Sequence, residues 1–126
     1  MANPATYAVF CSENGEDFLS LEFVVGATGA VGAVTAGNEM KTPVRNGTGD
    51  YTFPLKEAWL RCADANAFTV GAFDATKGTR AKMYQDHCAT VSAPSVSFQF
   101  FRPDTGAAAD PATGDIVKVS LRLKRF

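Results

Sequence analysis

Asp86-His87-Cys88 is the one place in the chain where a carboxylate, an imidazole and a thiol stand side by side, and His87 is the single histidine among 126 residues. Any Ser-His-Asp or Cys-His mechanism of nucleophilic catalysis would have to run through it. On a strand, however, successive side chains point to opposite faces. Asp86 and Cys88 then share one face and His87 takes the other, so no thiolate–imidazole pair forms between these neighbours. The spacing predicts an ordinary strand histidine, and the chain reads as a protein that is not an enzyme.

Metal and cofactor chemistry have no firmer footing. Cys11, Cys62 and Cys88 are odd in number and widely spaced, with no CxxC pair, and one histidine with three scattered cysteines makes no zinc pattern. They read as free thiols acting as small buried hydrophobes; a disulfide between two of them is the alternative, disfavoured in a reducing compartment. The acids Glu13, Glu16 and Asp17, and again Asp104, Asp110 and Asp115, gather at turns without the spacing of a calcium-binding EF-hand loop. Gly26-x-x-Gly29-x-x-Gly32 lacks the dinucleotide fingerprint spacing, and no Gly-Lys-Ser/Thr of a phosphate loop is present. No cofactor and no metal are expected. The glycine stretch reads as a mobile or closely packed loop, or as one able to lie flat on a partner. Asn46-Gly47-Thr48 matches a glycosylation sequon but reads as a turn.

The elements that would position these residues are strands. From Ile116 to Phe126, Val117, Val119, Leu121 and Leu123 fall on one face while Lys118, Ser120, Arg122 and Lys124 fall on the other, the period of two of a half-buried strand. The basic face, Lys118, Arg122, Lys124 and Arg125, reads as the wet side of a sheet or as a contact for an acidic partner surface. Ser95 to Phe101 alternates as cleanly. Phe18 to Val25 alternates too, and Thr6 to Cys11 is a short first strand that could form a hairpin with it through the Asn-Gly turn. Gly26 to Gly37 is too glycine-rich for a helix and is either a weak strand around Val31 to Thr35 or a surface loop. Asn46 to Asp50 is a second turn, leading into Tyr51-Thr52-Phe53, where Pro54 marks an edge or an end. Leu55 to Ala65 fits two helical turns or an extended segment about equally; Ala67 to Phe73 and Arg80 to Val91 read as strands. Seven to nine short strands separated by turns predict a single-domain, all-β antiparallel β-sandwich or barrel over residues 1–126, with long Gly/Ala-rich loops.

Composition narrows the function classes. At 126 residues and 13.4 kDa the chain fits one domain. A formal net charge of −1 lacks the basic excess of a nucleic-acid binder and gives no reason to invoke an anionic membrane. No stretch approaches the roughly 20 apolar residues needed to span a bilayer, and Met1 to Thr6 lacks the features of a secretory signal, so synthesis in a cytosol-like compartment is expected. Ten phenylalanines suit strands and subunit contacts. Ala2, Asn3, Pro4, Ala5 and Thr6 have little to bury and Pro4 opposes helix, which makes residues 1–6 a candidate extended arm for a partner.

Taken in order, a Gly/Ala-rich segment, RNGTGDYTFPL (Arg45 to Leu55), the Phe-rich SVSFQFF (Ser95 to Phe101) and GAAADPATGDIVKVSLRLK (Gly106 to Lys124) resemble small β-rich virion proteins of tailed bacteriophages, of the capsid decoration, cement or head-fibre type. The likeness covers the chain from Arg45 onward; the basic ending Lys124-Arg125-Phe126 departs from the usual apolar or polar one. The resemblance implies a non-enzymatic structural protein, commonly a homotrimer, made in the host cytoplasm and seated on the capsid exterior against the major capsid protein. No functional residue carries over from it. Candidate partner-binding residues are therefore Ala2, Asn3, Pro4, Ala5, Thr6, Lys124 and Arg125. The alternative function is a tail or receptor-binding module of the virion that recognises a host surface glycan or protein.

Overall fold

The computed structural model describes residues 16–37, 40–72 and 79–125. The strand expected at Thr6 to Cys11 and the arm at 1–6 lie outside the described residues. Eight strands are seen in these segments: β1 (Glu16–Val25), β2 (Val31–Ala36), β3 (Val44–Gly47), β4 (Asp50–Pro54), β5 (Arg61–Val70), β6 (Arg80–His87), β7 (Ser95–Phe101) and β8 (Ile116–Lys124). They form two four-stranded sheets, β2-β1-β8-β5 and β3-β4-β7-β6, with every pairing antiparallel. The sheets pack face to face as a sandwich and do not close into a barrel.

The alternation legible in β8 has a particular use. This strand is central, paired along its length with β1 on one side and β5 on the other, from Glu16↔Lys124 to Val24↔Ile116 and from Arg61↔Lys124 to Val70↔Ile116. Its inward residues Val117, Val119, Leu121 and Leu123 are all buried, as are Leu19, Leu21, Phe23 and Val25 of β1 beside them. The other sheet faces them with Tyr51 and Phe53 of β4 and Val96, Phe98 and Phe100 of β7. The rings tile the interior. Tyr51 meets Phe100 edge-on at 5.4 Å between centroids, Phe53 meets Phe98 edge-on at 5.6 Å, and Phe23 reaches across to both Tyr51 and Phe53 at 6.0 and 6.3 Å. Edge-to-face contact sets the positive ring edge against the negative face of its neighbour, a gain beyond area burial alone.

Two segments resolve alternatives left open by the sequence. The glycine-rich run is a single 3₁₀ turn at Ala27–Gly29 followed by the strand β2, so the weak-strand reading holds over the loop reading. Leu55 to Ala65 is not helical: Leu55 bridges Met40, residues 56–60 are irregular, and β5 begins at Arg61. The helical pattern loses because Leu55 and Trp59 are buried from an irregular connection, while Cys62 onward finds backbone partners along β8. β5 therefore starts and ends earlier than the strand expected at Ala67 to Phe73, and β6 ends at His87 rather than Val91. Pro54 closes β4 beyond the reach of β3, whose pairing stops at Val44↔Thr52, so its missing N–H costs no ladder bond on that side.

Phe98 has 2% of its surface exposed and sits edge-on to Phe53. Phe98→Ala is expected to destabilise the fold by about 3–5 kcal/mol, the usual range for emptying an aromatic core site, measured as a lowered midpoint in urea unfolding followed by tryptophan fluorescence.

Candidate functional site

The three side chains that open the catalytic question are separated by the register. β6 carries a bulge between Met83 and Gln85, one extra residue that resets which face the later side chains take. Beyond it Asp86 pairs opposite Val96, an inward residue with no exposed surface, and His87 pairs opposite Ser95. Asp86 and Cys88 thus lie on the inner side of β6 at the sheet's rim while His87 faces outward, as strand geometry requires. Asp86 accepts the Cys88 N–H at 3.1 Å and the Cys62 N–H at 3.2 Å. Burial opposes its ionisation, but the Cys88 thiol and these N–H groups outweigh that and hold it below the ordinary carboxylate range. Among the described residues no group of three or more His, Cys, Asp or Glu side chains is arranged to hold a metal ion.

The second acidic cluster also comes apart. Asp104 pairs with Arg102 at 2.6 Å in an exposed turn. Asp110 instead clasps three loops. Its carboxylate takes both prongs of Arg45, Nε at 3.1 Å and Nη2 at 2.8 Å, and the N–H of Gly49 at 2.7 Å. Its side chain occupies the space where Gly29 would carry a Cβ, only 2.4 Å from the nearest carbon, and Gly29 has a left-handed backbone with φ +78°. The Tyr51 hydroxyl donates to the Gly29 carbonyl. Burial pushes the Tyr51 phenol up to about 12, so it remains a neutral donor at physiological pH.

The basic face of β8 is matched by acids on β1. Lys118 lies 3.7 Å from Glu22, its cross-strand partner, and both Lys124 and Arg122 reach Glu16, at 3.7 and 3.8 Å. Arg125 contacts Asp17 at 2.6 Å and Glu57 at 3.7 Å, and its guanidinium stacks 4.5 Å from the centre of the Trp59 ring. Exposed pairs of this kind contribute at most about 1 kcal/mol each. They do cancel charge, so the wet side of this sheet is a mixed surface rather than a basic one. Of the candidate partner residues, Lys124 and Arg125 lie within this network at one end of the sandwich; Ala2, Asn3, Pro4, Ala5 and Thr6 lie outside the described residues.

Three other surfaces are not evident in the sequence. Phe18, 58% exposed, and Phe68, 46% exposed, stand on the outer face of the β8 sheet. Phe18 borders a shallow depression of about 240 Å³ together with Ser20, Asp64, Ser120 and Arg122. The edges differ in charge as well. Edge strands β3, β5 and β6 carry Arg45; Arg61 and Asp64; and Arg80, Lys82 and Asp86. β2, Val-Gly-Ala-Val-Thr-Ala, carries none, and all but its first residue are exposed. Charges and prolines are what normally stop an edge strand from pairing with another chain; β2 has neither. On the outer face of the other sheet, the Tyr84 hydroxyl donates to Asp50 at 2.5 Å, Asn46 donates to Thr52 at 2.7 Å, and Thr52 meets Ser97 at 3.0 Å. The bulge in β6 aims Tyr84 into this polar array.

Comparison with known proteins finds no matching family model, no matching curated protein and no matching solved structure. Among the described residues no helix is long and apolar enough to cross a membrane.

Asp110 supplies a pH test of the clasp. Burial raises its pKa, yet the Arg45 hydrogen bonds, the Gly49 N–H and the Arg45 charge together hold it below the ordinary 3.8. A carboxylate depressed on folding contributes stability that is present above its unfolded pKa and lost as pH falls through the folded value. Urea midpoints are therefore expected to fall below about pH 4. Asp110→Asn should lower stability by about 1–3 kcal/mol at pH 7 and flatten that acid limb.

Proposed function

We propose that this chain is a structural protein of a phage virion that binds the outer surface of the capsid and cements or decorates the shell, without catalysis. Its motifs resemble such proteins. The observation that best supports the reading is β2, an exposed strand edge bare of charge. An unguarded edge invites β-augmentation, in which an extended segment of another chain adds as a further strand. Main-chain hydrogen bonds then supply affinity that tolerates sequence change. The partner is the major capsid protein, and self-association as a homotrimer presents several weak contacts at once, which combine through effective concentration. Residues 2–6 act as an arm that reaches a neighbouring subunit. Assembly takes place in the host cytoplasm and the protein ends on the capsid exterior.

A second reading is favoured by one feature. Tyr84, Asp50 and Asn46 set an exposed aromatic ring among hydrogen-bonding groups on an open sheet face, chemistry that suits a sugar ring. A tail or receptor-binding module of the virion that recognises a host surface glycan would use that face. Copy number separates the two: quantitative mass spectrometry of purified virions is expected to find the protein in large numbers per head, and a handful per particle would favour the tail module.

Val34→Lys places a charge in the middle of β2, where the native side chain is already 39% exposed. It should leave the urea midpoint nearly unchanged while reducing the protein retained on isolated capsids by roughly tenfold or more, because multivalent attachment amplifies a loss repeated at each site. Deleting residues 2–6 is expected to weaken retention in the same co-sedimentation assay; unchanged retention would remove the arm from the mechanism.

A further inference from the structure

Where the rims of the two sheets meet, β5 and β6 bring together two thiols that an adhesive role does not use. Cys62 pairs opposite Leu123, which has no exposed surface, so its side chain points between the sheets. Cys88, 1% exposed, follows the end of β6 and belongs to the same core cluster, against which Cys62 packs. A single carboxylate bridges them: Asp86 Oδ2 accepts the Cys62 N–H at 3.2 Å and Oδ1 the Cys88 N–H at 3.1 Å. The two cysteine backbones therefore flank one small group, their side chains directed into the same seam. Both thiols are free.

We propose that Cys62 and Cys88 are a latent disulfide pair, closed by exchange with a low-molecular-weight disulfide such as oxidised glutathione into a covalent staple between the two sheets. Cys62 is the entry point, because it is half-buried whereas Cys88 is enclosed. Its thiol loses a proton to solvent and the thiolate attacks one sulfur of the small disulfide. A mixed disulfide forms at Cys62, and the departing glutathione thiolate takes up a proton. Cys88 then gives up its proton and attacks the Cys62 sulfur, and the second glutathione leaves as a thiol. Two protein thiols are oxidised and one small disulfide is reduced to two thiols, with no net proton change.

The surroundings keep the pair reduced until an oxidant is supplied. Burial, then the negative charge of Asp86, raise the Cys62 thiol; burial, then a hydrogen bond to the Asp86 carboxylate and its charge, push Cys88 up to about 12. Only the thiolate attacks a disulfide, so exchange is slow. At Cys62 the Asp64 charge acts in the same direction, while the backbone hydrogen bond to Asp64, 3.2 Å from the thiol, and the Arg122 charge act against it. Once closed, the link constrains the unfolded chain across the β5–β6 connection, the usual origin of disulfide stabilisation. This chemistry does not depend on the virion reading.

The test uses the full chain with Cys11→Ser, incubated with oxidised glutathione at mildly alkaline pH. Intact mass is expected to fall by two hydrogen atoms, and a non-reducing peptide map should join the Cys62 and Cys88 peptides. The urea midpoint of the oxidised protein should rise and return on reduction. Cys88→Ser in the same background should instead stop at the intermediate, with one glutathione retained on Cys62. A folded protein, by circular dichroism, that stays unmodified or carries glutathione on Cys62 while Cys88 is intact would overturn the proposal.

Discussion

Five rings hold the two sheets at their separation. Phe23 from one sheet reaches across to Tyr51 and Phe53 of the other, which lean edge-on against Phe100 and Phe98. Close-packed interiors do not tolerate sliding, so this contact fixes the register of one face on the other. It also decides where the polar features fall. Tyr51 can place its hydroxyl on the Gly29 carbonyl only because its ring is seated in that layer. The clasp of Arg45, Asp110 and Gly49 beside it then gathers three connections at one end of the sandwich. Hydrophobic packing sets the frame, and a partly buried ion pair pins the loops to it.

The outside of the molecule follows a different logic. On the β8 sheet, charges alternate in sign across neighbouring strands, Glu22 against Lys118 and Glu16 against Lys124, which leaves little net field to attract a charged partner. Apolar and neutral surface is also free for contact: exposed Phe18 and Phe68 on one face and the bare edge of β2. Under the proposed adhesive role, contact would rely on backbone hydrogen bonds and shape more than on charge, in keeping with the formal net charge of −1.

The sheet architecture was legible because its signal is local. A period of two in β1, β7 and β8 specifies a half-buried strand wherever its partners lie, and the turn expected over Asn46 to Asp50 falls at the β3–β4 hairpin, with Gly49 at φ +70°, although no local pattern signalled strand β3 before it. Asp86, His87 and Cys88 could be sorted onto faces by the same rule. What could not be read was set by distant neighbours. Nothing in the local sequence tells that Asp110 will meet Arg45, 65 positions away, or that Glu16 and Glu22 will neutralise a strand about a hundred residues later. Leu55 to Ala65 was ambiguous because its composition suits a helix while pairing of its second half with β8 decided otherwise. The charge-free edge was visible as composition, Val-Gly-Ala-Val-Thr-Ala, but its position at a sheet rim is a property of the topology.

The central place of β8 bears on the order in which the molecule can be built. β1 and β5 have no ladder with each other; β8 lies between them and joins β5 to the β1–β2 pair. During synthesis β1 can pair with β2, and the sheet containing β3, β4, β6 and β7 can assemble, well before β8 emerges. Half of the sandwich would then wait with its apolar face open, since contacts between segments so far apart in the chain form slowly. The nascent chain is thus most prone to stray association in the interval before its eighth strand arrives, and insertion of that strand is the event that commits it to the native state.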